Sequence, residues 1–244
     1  MKPAMTPQQE RLTAGGDSAF ALYRTLAVGD GSLWELLRYE LAMLFLSGLP
    51  GLPGLASRAL IYPSLFARCG RRPGIGRGVS IRQPGRISIG SKLLADDYAV
   101  LDVRGNDASI EIGDFVSIGR FSTVTAKSGT IRLGSGSNIG SYSRIATQSL
   151  VEIGESTLVA AYCYIGPGNH AVNDLDKPLI SQEMEIKGGV RIGSHAWIGA
   201  HSTILDGVTI GDNAIIGAHS LVKDSVPANA IAVGSPAKVI RMRS

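Results

Sequence analysis

Residues 190–222, VRIGSHAWIGAHSTILDGVTIGDNAIIGAHSLV, carry an aliphatic residue at every sixth position. The repeated residues are Ile192, Ile198, Ile204, Ile210, Ile216 and Val222. A fixed period is the signature of a repeat architecture, in which each unit buries its apolar side only against its neighbours. This stretch therefore predicts short parallel strands stacked in successive coils.

The same spacing occurs upstream in triplets, so that three hexads form one unit. The starts of successive units are 20, 23, 21, 20, 39 and 18 residues apart, and every surplus residue falls after the third hexad. Insertions confined to one corner are typical of a three-sided coil, since an extra residue inside a face would break strand pairing. The upstream register positions are Cys69, Ile75, Ile81, Ile89, Ala95, Leu101, Ile112, Ile118, Val124, Leu133, Ile139, Ile145, Ile153, Val159 and Ile165. We predict a mainly β protein, a parallel β-helix of about seven coils over residues 69–227 with an N-terminal α-helical segment.

A second column of the repeat indicates how the interior is filled. Four residues after the aliphatic, most hexads have a small side chain: Ser122, Ser137, Ser143, Thr157, Cys163, Ala196, Ser202, Ala214 and Ser220. A narrow triangular interior needs one aliphatic and one small residue on each side. Cys163 is therefore interpreted as a small core residue and not as a nucleophile.

Composition excludes several classes of protein. Glycine is frequent, with 31 residues, but it has no Gly-X-Y period and there are only 11 prolines, which excludes collagen. Two cysteines without a Cys-x-x-Cys make no disulfide framework. The first thirty residues lack an apolar stretch followed by a cleavage site, so we expect a cytoplasmic location, with peripheral contact to the inner face of the membrane left open.

The net charge of +4 is mild, yet basic residues cluster near the start of the repeats. The cluster consists of Arg68, Arg71, Arg72, Arg77, Arg82 and Arg86. It could contact anionic lipid, a phosphorylated cofactor or nucleic acid, or form a solvated face. We expect no nucleic-acid partner.

The N-terminal region differs from the repeats. Residues 1–31 are predicted to be flexible and residues 32–68 to form an apolar helical segment. Leu33–Leu46 reads as a helix with Ser32 as its N-cap, followed by a break at residues 48–54 and a second apolar segment interrupted by Pro63. The first helix would span about 21 Å, short of the hydrocarbon layer of about 30 Å. Residues 33–68 therefore either contact one leaflet peripherally or pack across the end of the repeats.

The C-terminal tail, residues 228–244, is expected to fold back over the last coil and cover its sheet edge.

The largest insertion follows Ile165 and begins Gly-Pro-Gly-Asn-His at residues 166–170. The repeat places Asn169 inward and His170 outward, at the root of a long loop on a rigid scaffold. A neutral imidazole, whose pKa is ordinarily near 6.5, can take a proton from a hydroxyl at cellular pH. A surface histidine that only caps the corner is the alternative interpretation.

The repeats, the insertion GPGNHAVNDLDKPLISQEMEIKG and the closing segment through WIGA, ILDGV and GSPAKVIR resemble the hexapeptide-repeat acyltransferases. The resemblance is to the branch of maltose- and galactoside-type O-acetyltransferases and their relatives in polysaccharide synthesis. It implies a left-handed β-helix, a homotrimer, and acetyl-CoA bound in the groove between adjacent prisms. No metal is expected.

By the same resemblance, His170 is the catalytic base that deprotonates an acceptor hydroxyl, which then attacks the thioester directly. Asn169 belongs to the same corner, and either Asp174 or a backbone carbonyl orients the imidazole. Residues implied for acetyl-CoA binding are Trp197 on an outer face, Ala200 and Ala218 beside the pantetheine, and Lys223, Lys238 and Arg241 near the phosphates. The expected reaction is acetylation of a hydroxyl on a sugar or on a precursor of an exopolysaccharide, capsule or lipid-linked glycan.

The apolar residues 33–68 depart from the short polar lead-in of the simpler sugar acetyltransferases, which favours a lipid-linked or polymeric acceptor. Three other interpretations stay open. The first is an amino-sugar N-acetyltransferase, and the second is a non-catalytic scaffold. The third is a β-helix zinc enzyme of the carbonic anhydrase type, in which the stacked pair His201 and His219 would bind the metal together with a neighbour's His170, while His195 lies on another face.

Overall fold

The protein is described by a computed structural model that covers residues 18–166 and 168–243, with the backbone alone for Asn169 and His170. Its main body is a three-sided parallel β-helix, here called the prism. The first face consists of Arg68–Cys69, Ile87–Ile89, Ser109–Ile112, Thr130–Leu133, Leu150–Ile153, Val190–Ile192 and Thr209–Ile210. The second face consists of Gly74–Ile75, Leu94–Ala95, Ser117–Ile118, Asn138–Ile139, Leu158–Val159, Trp197–Ile198, Ile215–Ile216, Ala230–Gly234 and Ala237–Met242. The third face consists of Ser80–Arg82, Val100–Val103, Thr123–Ala126, Arg144–Thr147, Tyr164–Ile165, Thr203–Ile204 and Leu221–Val222.

The predicted register of the repeats is confirmed strand by strand. On the first face, Ile112 pairs with Leu133, and Ile153 pairs with Ile192 across the longest insertion. Beyond Cys69 the aliphatic column is buried in one continuous hydrophobic core, and the small residues of the second column, Cys163 included, are buried as well. Each unit's extra residues lie at the corner between the third and first faces, as predicted, because only there can the chain lengthen without disturbing the parallel pairing.

Three α-helices precede the prism: α1 (Ala19–Val28), α2 (Leu33–Leu46) and α3 (Gly51–Ile61). The predicted bounds of α2 are confirmed, and a capping box between Ser32 and Glu35 closes its N-terminus. Short 3₁₀ helices occur at Tyr62–Ser64, Pro84–Arg86 and Leu179–Ser181.

Two expectations for this region were wrong. The flexible segment predicted for residues 1–31 contains α1, because Ser18 caps the helix and Gln83 of the first coil binds the carbonyl of Thr25 at 2.9 Å. Residues 1–17 lie outside the described part. The predicted break at residues 48–54 is shorter than expected, since α3 already begins at Gly51. Its Pro53 stands in the first turn, where no intrahelical N–H is needed.

The three helices pack with their inner sides across the N-terminal end of the prism, and together they are called the helical cap. The Tyr39 hydroxyl donates to the Ile81 carbonyl at 2.8 Å. The buried Arg58 guanidinium donates to the carbonyls of Ile75, Leu46 and Leu49, each at 2.8 Å. Of the two interpretations of residues 33–68, packing across the end of the prism is therefore confirmed for the inner side of the helices. Over residues 18–166 and 168–243, no helix is both long and apolar enough to cross a membrane.

The C-terminal tail covers the edge of one sheet by joining it. Ala230–Gly234 pairs in parallel with Ile215–Ile216 and forms an antiparallel hairpin with Ala237–Met242. The second face thereby gains two strands beyond the seventh coil.

Candidate active site

Residues 166–189 leave the prism at the corner between the third and first faces and are called the arm. Its two ends form a small antiparallel sheet, Asn169–His170 with Met184–Glu185, in which His170 lies opposite Met184. The N–H of Ala171 continues this pairing to the Glu183 carbonyl at 2.8 Å. The backbone of His170 is thus fixed at the root of the arm, where the sequence placed it, while the side chains of Asn169 and His170 lie outside the described part.

The return of the arm to the prism is held by Asp206. This residue is 8% exposed, and its carboxylate accepts hydrogen bonds from the N–H groups of Lys187 at 2.5 Å and Gly189 at 2.7 Å. Gly189 has a φ of +95°, and a Cβ there would lie 2.2 Å from the Leu150 carbonyl oxygen, so only glycine fits. At the other end the Gly166 N–H donates to the Ile204 carbonyl at 3.3 Å, so the arm is anchored to the scaffold at both ends.

Sequence reasoning missed Asp206, although it lies in the quoted ILDGV. Its position was a usable signal. It follows the core residue Ile204 at the corner of one coil, and the longest insertion leaves the same corner of the preceding coil. A carboxylate there can cap N–H groups that an irregular segment leaves unpaired.

Asp174, the predicted partner of His170, lies near the tip of the arm. Its carboxylate is 3.0 Å from the Lys177 ammonium and accepts the Asp176 N–H at 3.1 Å. The hydrogen bond from Lys177 holds the pKa of Asp174 below its ordinary value, so this group is an anion at neutral pH. Gln182 closes the tip by donating to the carbonyls of Asp174 at 2.7 Å and Lys177 at 3.0 Å. The role of Asp174 toward His170 stays a prediction.

Two of the residues expected to bind acetyl-CoA share the outer side of the second face. Trp197 is 50% exposed, as predicted, and pairs with Leu158 and Ile215. The outward column continues through Ile231 to Arg241 on the terminal hairpin. An exposed indole and a guanidinium therefore lie on one surface, three strands apart.

The remaining expected residues lie beside that surface. Ala200 and Ala218 occupy successive coils at the corner between the second and third faces, where the His219 N–H donates to the Ala200 carbonyl at 2.9 Å. At the C-terminal end, the Lys223 and Lys238 ammonium groups each lie 3.6 Å from one Asp224 oxygen. Two cations around one carboxylate leave this end with an excess positive charge.

The same corner carries a column of six stacked rings, of which the sequence indicated only the His201–His219 pair. Successive centroids are 4.7–5.3 Å apart, and each ring residue adopts a left-handed φ between 57° and 62°. The column consists of Tyr98, Phe121, Tyr142, Tyr162, His201 and His219. Across the part of the chain with described side chains, no group of three potential metal ligands occurs, and His195 lies at a different corner from the histidine pair.

Comparison with known proteins agrees with this architecture. Residues 189–224 match the family model "Bacterial transferase hexapeptide (six repeats)". The Escherichia coli protein named "Putative lipopolysaccharide biosynthesis O-acetyl transferase WbbJ" is 32% identical over 143 residues, which cover 56% of this chain and 73% of that protein. The chain belongs to the hexapeptide-repeat transferases.

Further similar proteins extend the comparison. A probable acetyltransferase of Mycobacterium tuberculosis is 32% identical over 210 residues, 86% of this chain, and this transferase spans 56% of that protein's length. Two solved structures share the fold at low identity. The polySia-specific acetyltransferase NeuO has a TM-score of 0.57 at 21% identity, covering 71% of this chain and 74% of its own. AntD, an N-acyltransferase from Bacillus cereus in complex with dTDP and 3-hydroxybutyryl-CoA, has a TM-score of 0.53 at 22% identity, covering 81% and 91%.

In this hexapeptide-repeat transferase the two groups of predicted site residues lie on different sides of the prism. The arm leaves the corner between the third and first faces. Trp197 lies on the second face, and Ala200 lies at the corner between the second and third faces. In a three-sided coil, the corner between the third and first faces lies opposite the second face. One prism alone therefore does not bring the root of the arm next to Trp197.

Proposed function

We propose that this transferase moves an acetyl group from acetyl-CoA to a hydroxyl of a sugar or glycan precursor, with His170 as the general base. The observation that carries the proposal is the arm root, where the backbone of His170 pairs with Met184 and Asp206 holds the segment that follows. Family membership and the O-acetyl transferase name of the Escherichia coli relative support the reaction class.

In the proposed reaction the neutral imidazole of His170 takes the proton of the acceptor hydroxyl as its oxygen attacks the thioester carbonyl. Backbone N–H groups near the carbonyl stabilise the oxyanion of the tetrahedral intermediate. The carbon–sulfur bond then breaks, and the imidazolium returns its proton to the departing CoA thiolate. No covalent enzyme intermediate is required, in keeping with the burial of Cys163.

The CoA-binding residues fit the order of chemical groups in that molecule. Exposed Trp197 and the small Ala200 and Ala218 suit the apolar pantetheine, while Lys223, Lys238 and Arg241 lie toward the C-terminal end and suit the phosphates. Since the arm root and Trp197 lie on different sides of one prism, the proposed site combines the arm of one protomer with Trp197 of a neighbour. A homotrimer supplies three such sites.

The base is tested with His170→Gln, which keeps the shape of the side chain without its basic nitrogen. Release of CoA thiol is measured with sugars, amino sugars and glycan fragments as acceptors. We expect a loss of about 100- to 10,000-fold with unchanged thermal unfolding. His195→Gln, an exposed histidine at another corner, is the matched control and should retain full activity.

Several outcomes would contradict the proposal. Full activity of His170→Gln would remove this histidine from catalysis, and absence of acetyl-CoA-dependent transfer to every acceptor would favour the scaffold interpretation. Preference for amino sugars would point to N-acetylation.

Sharing of the site between protomers is tested by co-expressing His170→Gln with Trp197→Ala. Each variant alone should be impaired, whereas mixed trimers should regain activity, because some sites combine an intact arm with an intact Trp197. Failure of the mixture to exceed the single variants would place the whole site within one protomer.

A further inference from the structure

The helical cap has a second apolar side, which faces away from the prism. In α2, Leu36 and Ala42 are buried on the inner side. The opposite side carries apolar residues that are 47–74% exposed and recur every three or four positions: Trp34, Leu37, Leu41, Leu44 and Phe45. A helix that is apolar on two sides is built to be covered on both.

The neighbouring helices also expose apolar side chains. On α3, Leu60 is 78% exposed, and on α1, Phe20 is 57% exposed. A groove between α2 and α3 is lined by Leu41, Phe45 and Ile61, with Arg38 at its margin. Monomeric proteins seldom expose continuous apolar surfaces of more than a few hundred Å² without a binding role.

The charge around this surface is strongly positive. Residues 18–92, which form the helical cap and the first coil, contain ten basic and three acidic residues, a net charge of +7, whereas the whole chain has +4. Arg71, Arg72 and Arg77 of the first coil are exposed, and none of them forms an ion pair within the described residues. The coil on which the helical cap packs thus carries guanidinium groups without an acidic partner.

We infer that the outer side of the helical cap binds an anionic membrane surface, with α2 lying in the plane of the interface. Leucine, tryptophan and phenylalanine side chains would enter the headgroup region while the arginines contact lipid phosphates. At 14 residues α2 spans about 21 Å, which suits lying on a leaflet. This inference does not depend on the proposed acyl transfer.

Two other occupants fit less well. Pairing this surface with a second copy about a two-fold axis would bring identical arginine clusters toward each other. Residues 1–17 contain only a few apolar side chains for covering it, namely Met1, Ala4, Met5, Leu12 and Ala14. A lipid surface fits both the apolar stripe of α2 and the positive charge of the first coil.

Co-sedimentation of the full chain with vesicles tests the inference. We expect binding to vesicles containing phosphatidylglycerol, weakened by salt, and little binding to pure phosphatidylcholine. Leu44→Glu should weaken binding by at least about tenfold, since a leucine side chain no longer enters the apolar layer. Arg71→Glu and Arg72→Glu should each weaken it about fivefold. The controls Leu94→Glu, 53% exposed on the second face, and Lys127→Glu should bind like the unmodified chain.

A second readout reports contact directly. In Trp197→Phe, Trp34 is the single tryptophan, and its emission should shift to the blue and be quenched by brominated lipids on vesicle binding. Three results would overturn the inference. One is the absence of both sedimentation and spectral change, and another is binding that Leu44→Glu leaves intact. The third is a chain that does not bind vesicles but self-associates in light scattering, with Leu44→Glu abolishing the self-association. That result would make the surface a contact between copies of the chain.

Discussion

The prism and the arm differ in what holds them. In the prism, inner strands pair on both sides, and the register side chains beyond Cys69 are buried. The arm exposes apolar residues such as Leu175, at 95%, and relies on polar contacts from Gln182 and Asp206. The free energy of folding therefore resides in the coils, while the proposed base is carried by a segment that contributes little to it. Substitutions in the two regions should separate unfolding from activity.

The largest effect on unfolding is expected in the middle of the prism. Ile145 is fully buried and lies between Val124 and Ile165. Ile145→Ala should lower the free energy of unfolding by about 2–5 kcal/mol, because the lost methyl groups leave a cavity. Leu175→Ala in the arm should change it by less than about 0.5 kcal/mol. Denaturant titration measures both free energies of unfolding. Equal losses in the two variants would contradict the conclusion that the coils, and not the arm, supply the stability.

The contact between helical cap and prism adds a pH dependence. Tyr62 is fully buried, and burial raises its pKa from 10.0 to about 12. The unfolded chain ionises this tyrosine near pH 10, whereas the folded chain keeps it neutral until about pH 12. The free energy of unfolding is therefore unaffected below pH 10 and falls by at most about 2.7 kcal/mol as the pH rises toward 12. Tyr62→Phe should show a correspondingly smaller loss of stability between these pH values. Identical alkaline profiles for the two proteins would show that Tyr62 does not titrate in this range.

Where the arm returns to the prism, Asp206→Asn should lower the rate of acyl transfer about tenfold, since an amide oxygen cannot accept both N–H groups that the two carboxylate oxygens now hold. Hydrogen exchange should quicken over residues 168–189, while the global free energy of unfolding falls by only about 1 kcal/mol. Asp212→Asn is the matched control, because Asp212 accepts the Ser194 N–H at 2.7 Å at a corner without an arm. Equal effects of the two variants on activity would indicate a purely structural role for Asp206.

The smallest effect is expected for Cys163→Ser. Ser143 and Ser202 occupy the equivalent inward positions in the adjacent coils, so the hydroxyl is already tolerated there. Stability should change by less than about 1 kcal/mol, with activity unchanged. Burial raises the pKa of the Cys163 thiol, so maleimide labelling of the folded chain should be slow at neutral pH. Loss of activity in Cys163→Ser would reopen a nucleophilic role.

The sequence was sufficient for the prism because one rule, an aliphatic residue every sixth position, fixes both burial and register. It was sufficient for α2 because Ser32 and Glu35 form a local capping box. It failed for α1, whose stability depends on contacts with Gln83, more than fifty residues away. The anchoring of the arm by Asp206 was missed for the same reason, since one carboxylate contacts a segment that has no period of its own. The handedness of the coils and the roles of His170 and the CoA-binding residues came from family resemblance and stay predictions.

The confinement of insertions to one corner has a consequence for how this protein tolerates changes in length. Adding residues at that corner, near Asn106 or Ser128, alters only a surface turn. Deleting a single residue inside a face would instead act like a structural frameshift, turning the remaining side chains of that strand from interior to exterior. The chain can thus vary in length at the corner between the third and first faces, whereas the number of residues is fixed at the other two corners.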